Sequence, residues 1–255
     1  MQEPIVIIGT GEMAGVFSRG FLKLGHPVFP VTRHMDMAQV AKALVPPALV
    51  LVSVGENDLH PVLEQIPGVW RDRLGLLQNE LLPRDWQAHG IENPTAIAVW
   101  FEKKKGQDYK VLVPSPAYGP AASLLERALE SLGIPCWELK DEQALLFELV
   151  RKNVYILTTN IAGLEVGGTV DELWNQHQAL AREVAGEVME IQFWLIGQTL
   201  DRDKLIEGMV EGIQGDLAHQ CMGRSAPGRL ARALDFADEA GLAVPKLREI
   251  AAKRG

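Results

Sequence analysis

The chain has 255 residues, 47% of them hydrophobic and 23% charged, with a formal net charge of -8. That length suits two domains or one large one, the apolar content supplies a sizeable core and excludes disorder, and the acidic balance excludes a nucleic-acid surface, which needs a basic face. The two cysteines, Cys136 and Cys221, form no C-x-x-C pair, so neither a disulfide framework nor a zinc site is expected, and the pattern suits a reducing cytoplasm.

The six histidines (His26, His34, His60, His89, His177 and His219) show no paired ligand spacing, and no metal is implied. No apolar run approaches the roughly eighteen residues of a membrane span, so no membrane partner is expected. The first strand begins almost at once, which leaves no signal peptide to expect.

In chain order, the first element is the apolar run Pro4-Ile5-Val6-Ile7-Ile8, which flows into Gly9-Thr10-Gly11-Glu12-Met13-Ala14. This reads as strand, glycine turn and helix with G-x-G-x-x-A spacing: Gly9 for the tight turn, Gly11 for close approach of a pyrophosphate, Ala14 for close helix packing. Backbone N–H groups from Glu12 onward would face the anion at the helix start. An amphipathic stretch over 12–22, with Met13, Val16, Phe17, Phe21 and Leu22 on its apolar side, completes the dinucleotide-binding pattern.

Residues 27–31 read as the second strand, followed by Thr32-Arg33-His34. An NAD-binding unit usually places an acid here for the ribose 2′-hydroxyl, whereas an arginine suits a 2′-phosphate. No acid occurs before Asp36, so Arg33, with Thr32 beside it, favours NADP over NAD.

Apolar runs at 48–54, 74–78, 95–101, 109–113 and 136–139 read as further strands, and helical patterns lie at 35–44, 58–66 and 121–132. The run Ala48-Leu49-Val50-Leu51-Val52 shows no alternation, as expected of a parallel strand buried on both faces. The pair across 95–113 is expected to be a hairpin on the later part of the sheet, with Lys103-Lys104-Lys105 as its solvated tip. From Asp141 onward strand signals vanish. Helices are expected at 143–162, 171–195, 201–218, 227–240 and 245–253. The fold class is therefore α/β: a doubly wound Rossmann-like sheet over 1–140, then an all-helical domain over 141–255 for substrate and dimerisation.

Two places carry polar groups suited to chemistry between such domains. Asn79, at the carboxyl end of the 74–78 strand, is either a turn residue or a group beside nicotinamide and substrate. Lys152 and Asn160 are eight residues apart, about two helical turns, on one predicted helix. A lysine so placed is either a solvated surface residue or a proton donor to the oxyanion that forms when hydride reduces a carbonyl. A short-chain dehydrogenase is disfavoured, because Tyr155 has Thr159 rather than lysine four residues on.

Taken together, Gly9-x-Gly11-x-x-Ala14, Arg33, Leu77-Gln78-Asn79, Leu149-Val150-Arg151-Lys152 with Asn160, Gly167-Gly168-Thr169-Val170-Asp171-Glu172-Leu173 and Ala240-Gly241-Leu242-Ala243-Val244-Pro245 resemble the ketopantoate reductase (2-dehydropantoate 2-reductase) family over nearly the whole chain. The resemblance implies an NADP(H)-binding Rossmann domain joined to a helical domain of the 6-phosphogluconate-dehydrogenase type. It also implies Lys152 as catalytic lysine, with Asn79 and Asn160 beside nicotinamide and substrate, a small carbonyl compound of the 2-oxo acid class as substrate, and room for a homodimer.

Four positions depart from that family. Ile156 replaces an asparagine between Lys152 and Asn160, Gly55-Glu56 a lysine after the third strand, and Glu80 the glycine after Gln78-Asn79, while the catalytic glutamate falls at or near Ser225, with no acid from Leu217 to Leu234. Ser225 also reads as a helix N-cap before Ala226-Pro227. Ketopantoate itself is therefore expected to be a poor substrate, and a catalytically impaired NADP-binding regulatory or scaffold protein on the same fold is the alternative.

Overall fold

The computed structural model describes residues 2–254. The first elements alternate as expected of a doubly wound sheet: β1 (Ile5–Ile8), α1 (Glu12–Lys23), β2 (Val28–Val31), α2 (Met37–Ala43), β3 (Leu49–Val52), α3 (Leu59–Glu64), β4 (Leu74–Leu76), α4 (Pro83–Gln87) and β5 (Thr95–Ile97). After β6 (Phe101–Lys103) and β7 (Tyr109–Val111) come β8 (Ser115–Tyr118), α5 (Ala122–Glu130) and β9 (Cys136–Glu138). The rest is helical: α6 (Glu142–Val166), α7 (Val170–Gln176), α8 (Gln178–Ile196), α9 (Arg202–Gly215), α10 (Ala226–Ala240) and α11 (Pro245–Ala252). Two compact units divide between Leu149 and Val150, within α6.

In the first unit a seven-stranded sheet runs in the order β2-β1-β3-β4-β5-β8-β9. The strands from β2 to β5 are parallel, β8 runs antiparallel to β5, and β9 is parallel to β8. Every residue of β1 and β3 is buried, because helices cover both faces and unbroken apolar runs suit such strands. Alternate residues Ile5, Ile7, Leu49 and Leu51 share a core with Phe17 and Phe21 of α1 and Leu125 and Leu129 of α5. Leu22, expected on the apolar side of α1, instead lies 58% exposed.

The 95–113 pair differs from the expected hairpin on the sheet. Its first part, β5, joins the main sheet and pairs with β8, whereas β6 and β7 pair with each other as a separate two-stranded sheet. Strand β8 carries Pro116, which lacks an N–H for the ladder and argues against a strand in sequence. Next to it, Ser115 Oγ accepts the Trp100 N–H at 2.9 Å.

In the second unit α8 packs against α7, α10 and α11, with Val184, Val188, Ile191 and Phe193 buried. Asn153 Nδ2 donates to Gln192 Oε1 at 2.9 Å and joins α6 to α8 through a buried polar pair. Glu187 fastens α11, its carboxylate accepting the Lys246 and Leu247 N–H groups at 2.8 and 2.9 Å, where negative charge also meets the positive helix end. The helix expected over 171–195 is broken at His177 into α7 and α8. Among the described residues no helix is long and apolar enough to cross a membrane.

Both cysteines are buried and free. Burial pushes the Cys136 thiol up to about 12 and the Cys221 thiol up to about 11. Because the thiolate is the reactive form, neither should react with iodoacetamide in the native protein at neutral pH, and both should react after denaturation. Mass spectrometry that finds rapid native alkylation would contradict this burial.

Candidate functional site

The carboxyl ends of four adjacent parallel strands stand level. Ile8 pairs with Val31 on one side and with Val52 on the other, and Val52 pairs with Leu76. The order reverses about β1, whose successor β2 lies on one side and β3 on the other. Such a switch point opens a crevice at the carboxyl ends, where open α/β sheets bind ligands. The Gly9 N–H donates to Val31 O at 2.9 Å and the Ser53 N–H to Ile8 O at 2.7 Å, so the glycine loop is anchored on both sides.

The two glycines of that loop have different causes. Gly9 has φ +95°, and a Cβ there would stand 2.5 Å from Ser53 O; the fold itself demands glycine. Gly11 has φ -74° and ψ -175°, extended backbone that any residue adopts, and a Cβ there would meet nothing within 4 Å. No feature of the fold requires glycine at Gly11, and the open space above it is the cradle a ligand backbone approach would use.

Glu12 and Met13 begin α1, and Ala14, 4% exposed, packs into the core. A pocket of about 330 Å³ lies along this end of α1, lined by Thr10, Gly11, Glu12, Gly15, Arg19 and Lys103. Lys103 Nζ stands 3.1 Å from Glu12 Oε2 with its side chain only 17% exposed. The residue expected at a solvated hairpin tip thus faces the glycine loop and neutralises an acid at the helix start.

On the β2 side, Thr32 is half-buried and Arg33 exposed. Asp36, the first acid after β2, is used as the N-cap of α2, its Oδ1 accepting the Ala38 and Gln39 N–H groups at 2.8 and 3.3 Å. On the β3 side, Ser53 is 8% exposed and its Oγ has no hydrogen-bond partner. A buried hydroxyl left unpaired beside a crevice calls for a partner from outside the chain.

Beyond β4, Gln78 is structural: its Nε2 donates to Val52 O at 2.7 Å and its Oε1 accepts the Leu77 N–H at 3.1 Å. Asn79 follows in the turn, half-buried at the crevice edge. Glu80 has φ +63°, the left-handed region that favours glycine, so the backbone keeps the conformation that glycine would adopt freely.

Lys152 and Asn160 lie in the helical unit on α6. Lys152 and Ile156, one turn apart, are the half-exposed positions between residues 151 and 160, and Lys152 Nζ stands 6.0 Å from the Tyr155 ring centre. Asn160 turns inward, 6% exposed. Its Nδ2 donates to Cys221 O at 3.0 Å, and its Oδ1 accepts from Arg229 Nη1 at 2.7 Å. Ser225 occupies the N-cap position of α10 but makes no side-chain capping bond.

Gly9 to Ala14, Thr32, Arg33 and Asn79 therefore gather along one sheet edge, whereas Lys152 and Asn160 share a helix with only Lys152 accessible. Lys103 and Arg229 had no local signal, since each meets its partner through contacts far apart in sequence. The residues present fit a dinucleotide: an open cradle at Gly11, an orphaned hydroxyl at Ser53 and an exposed guanidinium at Arg33.

No protein-family model and no curated protein sequence matches the chain. Solved structures share its fold from end to end. A 2-dehydropantoate 2-reductase from Methylococcus capsulatus superposes with a TM-score of 0.70 at 14% identity, over 98% of this chain and 95% of the other. D-mandelate dehydrogenase in complex with NADH gives 0.68 at 13% identity, over 98% and 96%. A dimeric ketopantoate reductase from Staphylococcus aureus gives 0.66 at 16% identity, over 97% and 96%.

Proposed function

We propose that the protein is an NADP(H)-dependent oxidoreductase of the ketopantoate reductase type that reduces a small 2-oxo acid. The observation that carries this reading is the open backbone at Gly11, set at the switch point of the sheet between Arg33 after β2 and Asn79 after β4. Three strand spacings of about 4.8 Å separate the β2 and β4 ends, roughly 14 Å in all. That distance lets the adenosine phosphate lie near Arg33 and the nicotinamide near Asn79, with the pyrophosphate over the first N–H groups of α1. The similar structures support the substrate class, because dehydropantoate is a 2-oxo acid and mandelate a 2-hydroxy acid.

When bound, the cofactor supplies a hydride. Lys152 stabilises the negative charge on the substrate oxygen and gives it a proton. Asn79 orients the reacting groups from the sheet edge. Asn160 acts at one remove, holding Arg229 in place. The first unit is the cofactor domain and the second the substrate domain, and a homodimer is proposed by likeness to the S. aureus enzyme.

A second reading, an NADP-responsive regulatory protein, draws on two observations: Ile156 is the half-exposed neighbour of Lys152, and both polar atoms of Asn160 are engaged internally. Turnover separates the two readings.

Cofactor choice is tested by fluorescence titration. NADPH should bind more tightly than NADH, and Arg33→Asp should erase the preference. A lost charge-assisted contact is worth about 1.5 to 3 kcal/mol, roughly tenfold to a hundredfold in affinity. Equal affinities for the two cofactors in the wild type would contradict the assignment of Arg33.

A further inference from the structure

The fold brings together two histidines whose sequence spacing gives no hint of pairing. His60 lies exposed on α3, and His89 is half-buried just after α4. Nδ1 of His60 stands 2.8 Å from Nε2 of His89, with ring centres 5.1 Å apart and planes inclined by 37°. One nitrogen donates and the other accepts across that contact, so a single proton fills a space that two imidazole lone pairs can otherwise address.

The surroundings place both residues. The remaining nitrogen of His60, Nε2, faces Asp85 Oδ1 at 3.7 Å. Asp85 is itself fixed, because its Oδ2 accepts the Leu82 N–H at 2.7 Å at the start of α4. The His89 N–H donates to Trp86 O at 3.1 Å, and its carbonyl accepts from the Arg71 guanidinium. A carboxylate that accepts a hydrogen bond from the far nitrogen of an imidazole orients metal-binding histidines and raises their basicity, and Asp85, 3.7 Å from that nitrogen, lies a small ring rotation from such a bond.

We propose that His60 and His89 form a clamp for a divalent late transition-metal ion, with His60 Nδ1 and His89 Nε2 as ligands and Asp85 orienting His60. Imidazole nitrogens suit zinc, nickel or copper, whereas magnesium and calcium require oxygen ligands. Two Zn–N bonds of about 2.0 to 2.1 Å at a tetrahedral angle set the nitrogens about 3.3 Å apart. From the 2.8 Å of the direct contact, that asks for an opening of roughly 0.5 Å, which side-chain rotation of the exposed His60 ring supplies. Two protein ligands leave the other positions to water. The site is thus labile, unlike a closed structural zinc site, and it ties α3 to the end of α4 when filled.

The test is calorimetric titration of the full-length, chelator-treated protein with zinc chloride, with thermal melting as a second readout. One equivalent of zinc should bind saturably and raise the melting temperature, and magnesium should do neither. His60→Gln and His89→Gln should each lower zinc affinity at least about a hundredfold, and Asp85→Asn about tenfold, with far-ultraviolet circular dichroism unchanged in the two histidine variants. No saturable zinc binding by the wild type would overturn the clamp. So would a zinc site that survives His89→Gln, since other groups would then hold the ion.

Discussion

Lys152→Ala lowers turnover of a 2-oxo acid by about a hundredfold to ten-thousandfold, the usual range for loss of a general acid, while NADPH affinity changes little. The side chain is half-exposed on α6, so its removal opens no core cavity, and alanine favours the helix at least as well as lysine. Loss of activity would therefore report chemistry rather than folding. Lys152→Arg sharpens the test, because a guanidinium keeps the charge but does not give up a proton: activity should recover only in part. Turnover unchanged in Lys152→Ala would remove the proposed proton donor.

Gly11→Val abolishes nucleotide binding and leaves the fold intact. At φ -74° and ψ -175° valine is unstrained, and its Cβ meets no protein atom, so the branched side chain occupies the space that the pyrophosphate approaches. Gly9→Val behaves differently. Its Cβ would be driven to 2.5 Å from Ser53 O at φ +95°, so it should destabilise the protein as well as disturb the loop. Thermal melts and cofactor titrations on the two variants separate a glycine kept for the ligand from one kept for the fold. Undiminished NADPH affinity in Gly11→Val would contradict the placement of the cofactor.

The parts of this molecule legible in its sequence are those encoded locally. Gly9, Gly11 and Ala14 announce the strand, turn and helix because their spacing is short and each position has one steric cause. The unbroken apolar runs of β1 and β3 declare burial on both faces, and Gly241 in the left-handed region at φ +67° ends α10 where a glycine stop is expected. What the sequence conceals is long-range. Strand β8 is masked by Pro116, because its partners β5 and β9 are chosen by tertiary packing. Lys103 reads as part of a solvated lysine run until the fold sets it against Glu12, 91 residues earlier. Lys152 and Asn160 read as a pair two helical turns apart, yet Asn160 turns inward, where Arg229, 69 residues later, donates to its Oδ1 and the Cys221 carbonyl accepts from its Nδ2. His60 and His89, 29 residues apart, meet only through the tertiary fold.

The most direct test of the proposed activity is NADPH oxidation by the purified protein against a panel of small 2-oxo acids that includes ketopantoate. Steady oxidation with at least one of them, with ketopantoate among the poorer substrates, is the expected result. NADPH that binds normally but is not oxidised with any carbonyl compound in the panel would contradict the reductase and leave a nucleotide-binding regulator in its place.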